Sequence, residues 1–195
     1  YTTVMDSYTN LYIGSSLETL QKWGKVLDVS DSGGYYDPDT DTWHLFAEVD
    51  NAEGDPCGWA IGHWTSKDGK TGWVYHGKAI DLRAEGKDWH TGDPDIIKID
   101  DIYFMFIDHT DPLASHHPYY YIHLYCSKDL YNWQEVGQIT THYGGDACVR
   151  LDPKTGIFYM FNEYWDPPSH GIGWQKSIGP SSDREYSWDP KYNRM

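Results

Sequence analysis

The sequence predicts an all-β protein, a five-bladed-type β-propeller of which about three four-stranded antiparallel blades and flanking half-blades are present. Three observations predict it: an aromatic, turn-rich composition, two hairpin patterns that alternate along the chain, and a near-regular distance between their copies. The 195 residues include 17 Tyr, 10 Trp and 5 Phe beside 19 Gly and 10 Pro. Aromatic side chains suit pleated, half-buried strands, while Gly and Pro punctuate turns. No comparable stretch keeps a 3.6-residue apolar period, so few helices are expected.

The first pattern is an inner hairpin: a short strand, a tight polar turn and an aromatic-rich strand. It reads DSGGYYDPDTDTWHLFAE from Asp31 to Glu48, DPDIIKIDDIYFMFID from Asp93 to Asp108, and DACVRLDPKTGIFYMFNE from Asp146 to Glu163. The second pattern is an outer hairpin, IGHWTSKD from Ile61 leading to Trp73 and IHLYCSKD from Ile122 leading to Trp133. A looser copy runs from Ile13 to Trp23 and a degraded one from Ile172 to Trp188. The leading isoleucines stand 48, 61 and 50 residues apart, a period that fits a four-stranded blade. The expected organisation is one partial propeller domain over residues 1–195: a blade end at 1–30 and blades at 31–82, 83–141 and 142–195. Trp23, Trp73 and Trp133 are expected in the core of the outer hairpins.

Strand direction then locates a site. Asp31, Asp93 and Asp146 begin the inner strands, and Glu48, Asp108 and Glu163 end the second strands. Both sets therefore belong at one mouth of the central channel. The following segments, 50–57, 109–118 and 164–170, open on the same mouth and carry His109, His116, His117, Trp165 and His170. Crowded carboxylates raise one another's pKa, which is what a general acid requires. Glycoside hydrolysis uses such pairs, one as acid and one as base or nucleophile. Aromatic rings offer stacking faces to a sugar, and Arg150 can hold a hydroxyl or carboxylate. The expected catalytic set is Asp31, Asp93, Asp146 and Glu163, with Glu48, Asp108, His109, His117, Arg150, Trp165 and His170 binding substrate.

The same residues also admit plainer roles. An Asp at a strand start can simply cap a turn through local backbone N–H groups. Asp37, Asp39, Asp41 and Asp152 read as ordinary turn residues. No cofactor is required; the acidic mouth offers hard oxygen ligands suited to Ca2+. The tandem His116-His117 lacks the spacing of a zinc motif, and no metal ligands are assigned. Cys57, Cys126 and Cys148 are odd in number and unrelated in spacing, which predicts semi-buried free thiols rather than a disulfide framework. A formal charge of -15 argues against nucleic acid or an anionic membrane as partner and leaves a neutral carbohydrate compatible. No apolar run approaches the length of a membrane span. The first residue is Tyr1, so a processed form or a fragment is expected, and no signal peptide is legible.

The segment GDPDIIKIDDIYFMF from Gly92, together with SKDLYNW from Ser127 to Trp133, resembles the inner hairpin and outer turn of the five-bladed propellers of glycoside hydrolase family 43 and its relatives, families 32, 62, 68 and 130. The resemblance spans roughly residues 11–175. It implies a secreted enzyme that hydrolyses furanosides or xylosides in plant or microbial polysaccharide with inversion. On the family's blade order Asp31 is the base that activates water, Asp93 an intermediate ligand and Asp146 the residue that tunes the acid. Asp146 or Glu163 then tunes or donates the proton. The family's acid glutamate falls on a fourth inner strand, beyond Met195. On the alternative mapping it falls at Asp146, where the sequence reads Gly-Asp-Ala in place of Glu-Gly-Pro. That departure leaves a second reading open, a non-catalytic glycan-binding or assembly propeller. Open blade edges further imply self-association or pairing with the remaining blades of a longer chain.

Overall fold

The computed structural model describes residues 8–50, 58–86, 90–110, 120–140, 143–166, 169–176 and 193–194, with side chains in the last sheet described through 163 and for 171–173. Among the described residues the regular elements are strands and one 3-10 turn at Leu17–Thr19. A two-stranded hairpin, β1 (Thr9–Ile13) and β2 (Gln21–Leu27), precedes three four-stranded sheets. The first sheet holds β3 (Ser30–Asp37), β4 (Thr42–Val49), β5 (Ala60–Ser66) and β6 (Val74–Asp81). The second holds β7 (Thr91–Ile99), β8 (Ile102–Thr110), β9 (Tyr120–Ser127) and β10 (Gln134–Gln138). The third holds β11 (Cys148–Asp152), β12 (Ile157–Asp166), β13 (Ser169–Lys176) and β14 (Asn193–Arg194). Every neighbouring pair is antiparallel and consecutive in sequence, so each sheet is a simple meander.

Period-two alternation explains how the sheets pack. Tyr103, Met105 and Ile107 on β8 face one way and join Phe46, Ile61 and Ile80 of the first sheet. Phe104 and Phe106 face the other way and join Val149, Phe158 and Met160 of the third. β8 is therefore covered on both faces, which is why YFMFI reads as an unbroken apolar run. Each such side chain contributes roughly 1.5–3 kcal/mol by leaving water. The innermost strands β3, β7 and β11 neighbour one another around the channel. At Gly33 the approach is so close that a β-carbon would stand 1.8 Å from the carbonyl oxygen of Pro94, so no larger residue fits.

The outer turns repeat atom by atom. Asp68 Oδ1 accepts from the backbone N–H groups of Lys70 and Thr71, both at 2.8 Å. Asp129 Oδ1 accepts from Tyr131 and Asn132 at 2.8 Å in the same way. The next residue takes φ 68° in both turns, Gly69 in one and Leu130 in the other. A Leu in that region is strained, and its 1% exposure within the first core offsets the strain. Asp37 and Asp152 hold their turns likewise, accepting from the Thr40 and Thr155 hydroxyls, each at 2.7 Å.

Three expectations are corrected. Trp23 is 46% exposed rather than core, because its sheet has only two strands among the described residues. Trp133 does pack on the first core, donating from Nε1 to the Leu130 carbonyl at 3.1 Å. Residues 164–166 and 169–170 extend β12 and β13 rather than forming a loop, with Trp165 paired to His170. Cys148, the first residue of β11, is exposed rather than semi-buried; Cys126 is half-buried and both are free thiols. Cys57 lies outside the described residues. Among the described residues no helix is long and apolar enough to cross a membrane, a statement that does not bear on strands.

Candidate functional site

The inner strands share an unusual start. Asp31, Asp93 and Asp146 take φ values of 44°, 50° and 54°, the left-handed region. Asp is among the few side chains that enter it at modest strain. At Asp31 and Asp93 the ladder to the second strand also slips, between Ser30 and Ser32 and between Gly92 and Asp95. Such bulges re-aim a side chain, and here they turn the carboxylates into the channel mouth.

Asp31, Glu48, Asp93, Asp108, Asp146 and Glu163 line one cavity of about 220 Å3, together with Thr91 and Tyr120. Three sheets thus bring six carboxyl groups to one space. Two glycines make room for them. A β-carbon on Gly92 would stand 2.9 Å from Glu48 Oε2, and one on Gly145 would stand 2.9 Å from Asp108 Oδ2. Glu48 and Asp108 therefore each close against the glycine that opens the next blade. Glu48 also accepts a short hydrogen bond from the Gly58 N–H. The third blade is pinned to this wall by Gly144 N–H donating to the Tyr120 carbonyl at 2.8 Å, and within that blade Glu163 N–H donates to the Gly145 carbonyl at 2.9 Å.

Burial and mutual repulsion set the electrostatics. Glu48 is pushed up to about 8, first by burial and then by the charge of Asp31, with the Gly58 N–H pulling the other way. Asp93 is raised well above the usual carboxylate range by burial and by Asp108 and Asp146. Asp108 is raised by burial and then by Asp146. Asp108 is 4% exposed and its Oδ1 has no hydrogen-bond partner among the described residues; the same holds for the Thr91 hydroxyl, 1% exposed. Both residues line the cavity. The donor set is entirely oxygen, so a cation held there would be a hard one such as Ca2+.

The other expected residues lie elsewhere or outside the described part. Arg150 lines a second cavity of about 320 Å3 along the inner strands, which shares Asp93 and Asp146 with the first. Its Nη1 sits 2.9 Å from Asp95 Oδ2, and Asp95 also accepts from the Val149 N–H at 2.6 Å. His109 belongs to β8, is 1% exposed, and lies behind the mouth rather than in it. His116 and His117 fall outside the described residues, as do the side chains of Trp165 and His170. Sequence reasoning missed Thr91, Tyr120, Gly92 and Gly145. The repeated Gly-Asp pairs at 92–93 and 145–146 were the available signal for the glycines.

No family model matches the sequence, and no curated protein matches it. Solved structures do. A putative exo-β-1,3-galactanase from Bifidobacterium bifidum superposes with a TM-score of 0.62 at 16% identity, over 94% of this chain and 57% of that one. An exo-1,5-α-L-arabinanase from a bovine ruminal metagenomic library gives 0.60 at 18% identity, over 86% and 55%. A family 43 β-1,3-galactosidase with galactodeoxynojirimycin gives 0.66 at 14% identity, over 88% and 63%. The fold is that of a glycoside-hydrolase β-propeller. This propeller chain spans between 55% and 63% of the length of those three. Its blades are the three four-stranded sheets, and its acidic cavity lies where the blades' inner strands begin.

Proposed function

We propose that the acidic mouth binds a glycoside and hydrolyses it with inversion, with furanosides or xylosides of plant or microbial polysaccharide as the substrate class. The observation that carries this reading is the cavity lined by six carboxyl groups from three blades. Asp31 takes a proton from water as the water attacks the anomeric carbon. Asp146 or Glu163, on the third blade, tunes or gives the proton that the departing glycosidic oxygen takes up. Glu48, hydrogen-bonded to Asp31, and Asp93 set the charge of the ring, and Asp108 with Thr91 offers hydrogen-bond partners to sugar hydroxyls. Support for the substrate class comes from structures of similar fold described as an arabinanase and as a β-xylosidase/α-arabinofuranosidase in complex with xylotriose. Polymers of this class lie outside cells, so an extracellular setting is part of the proposal.

The test is release of sugar from arabinan, arabinoxylan and galactan panels, followed by chromatography, with the anomer formed first read by proton NMR. Release with inversion that vanishes in Asp31→Asn and in Asp146→Asn or Glu163→Gln supports the assignment. Binding of a panel member without cleavage replaces it with the glycan-binding reading. The hairpin β1–β2 leaves Leu17, Tyr12 and Trp23 at 84%, 53% and 46% exposed, a patch we assign to contact with a second copy of the chain. Sedimentation of a 22.6 kDa monomer at all concentrations would rule that out.

A further inference from the structure

A second constellation stands behind the mouth. His109 on β8, His123 on β9 and Glu135 on β10 each offer one ligand atom, and these atoms lie within 4.8 Å of one another. Register explains the meeting. His123 pairs with Ile107 and Glu135 with Tyr125. The side chains therefore project from the same face as Met105 and Ile107, toward the first sheet. His109 and His123 are 1% and 7% exposed, while the Glu135 side chain is 29% exposed. The two imidazoles stack at 4.1 Å and 22°. Nδ1 of His123 sits 2.9 Å from Glu135 Oε1, and the Tyr125 hydroxyl lies 3.4 Å from His109 Nε2.

We propose that His109, His123 and Glu135 bind one divalent transition metal, with Zn2+ the best fit. Two neutral imidazoles and one carboxylate form a recognised three-residue donor set for zinc, leaving a fourth position to water or another oxygen. Here the Tyr125 hydroxyl borders that position. Zinc holds such ligands at about 2.0–2.2 Å, which places tetrahedral donor atoms ~3.3 Å apart. The present spacing, up to 4.8 Å, must close to that value as the ion binds. The mixed nitrogen and oxygen set disfavours Ca2+ and Mg2+, which prefer oxygen alone. The site has a consequence for the mouth, because His109 follows Asp108 directly. A metal tying β8 to β9 and to the outer strand β10 fixes the backbone that aims Asp108 into the cavity.

The test uses the whole chain, stripped with a chelator and titrated with Zn2+ by calorimetry, with metal content after dialysis read by mass spectrometry. One equivalent per chain is expected, together with a higher melting temperature and, with Co2+ in its place, the intense visible absorption of a low-coordinate site. Glu135→Gln keeps the shape of the side chain and is expected to weaken Zn2+ binding by about 100-fold or more. His123→Gln is expected to abolish it, and His76→Ala, outside the cluster, to leave it unchanged. Absence of stoichiometric Zn2+, or wild-type binding in Glu135→Gln, overturns the proposal. Should His123→Gln fail to fold, Glu135→Gln on the partly exposed strand β10 decides by itself.

Discussion

Asp108 closes against Gly145: a β-carbon on the glycine would stand 2.9 Å from Asp108 Oδ2. Glu48 and Gly92 repeat the relationship one blade earlier, also at 2.9 Å. In each case the carboxylate that ends a second strand fills space that only glycine leaves free at the start of the next blade. The cavity wall is thus built from pairs that straddle two sheets, and a single methyl group tests it. Gly145→Ala forces the buried Asp108 to turn. Since an ångström of misplacement is worth about 100-fold in rate, turnover of a cleaved glycoside is expected to fall on that order. The melting temperature is expected to move by no more than about 2–4 °C. Unchanged turnover would show that Asp108 has no part in the chemistry.

Stability is expected to decline as the solution becomes alkaline. Glu48 binds its proton up to about 8 in the folded chain, against an ordinary 4.5. Between those values the folded state holds a proton that the unfolded state has released, so stability falls as pH rises through the window. Asp93 and Asp108, raised by the same burial, act in the same direction. The contribution of Glu48 is fully present below pH 4.5 and lost by about pH 8. Glu48→Gln removes a slope worth a few kcal/mol in total. The check is melting temperature against pH for the two proteins: the variant should gain on wild type as pH rises from 5 to 8, and parallel curves would contradict the burial argument.

The acid side has a different cause. His44 Nδ1 and His63 Nε2 stand 2.9 Å apart, and the His63 ring stacks on Phe46 with centroids 4.4 Å apart. Tyr131 from the neighbouring sheet packs edge-on to His63 at 4.8 Å. Burial holds His44 down to about 4, and burial together with His44 and His76 holds His63 down to about 3, against an ordinary 6.5. Below pH 6.5 the unfolded chain binds protons that the folded chain refuses, so stability drops as pH falls. His63→Phe keeps a ring against Phe46 and removes one of those protons. Its acid-unfolding midpoint, followed by tryptophan fluorescence, is expected at lower pH than that of wild type; an equal midpoint would place the acid sensitivity elsewhere.

The architecture was legible because hairpin patterns are local. The polar turn between DIIKI and the unbroken apolar run IYFMF marks two strands, and strand direction alone put six carboxylates at one mouth. Segments whose fate depends on distant packing were not legible. Trp23 belongs to the same pattern as Trp133, yet is exposed because its sheet has no third strand to cover it among the described residues. Arg150 belongs to an inner strand facing the channel, yet its charge is met by Asp95 from β7. His109, His123 and Glu135 are separated by 13 and 11 intervening residues on three strands, so no local spacing announces them. Register brings them together, and register is set by turns and bulges that the sequence only outlines.

The role of Asp31 gives the sharpest test of the proposed chemistry. Its φ of 44° is one that Asn also tolerates, so Asp31→Asn preserves backbone and shape while removing the charge. If Asp31 activates water, release of sugar is expected to fall by roughly 10^2–10^4-fold. Loss of its charge also removes the second largest influence that raises Glu48. The carboxyl of Glu48 should then titrate lower, and the alkaline loss of stability should shrink. Both readouts come from one protein, kinetics for the base and melting against pH for the coupling. A variant that keeps full activity while showing the altered pH curve would leave Asp31 as an electrostatic neighbour of Glu48 and pass the base to another carboxylate of the ring.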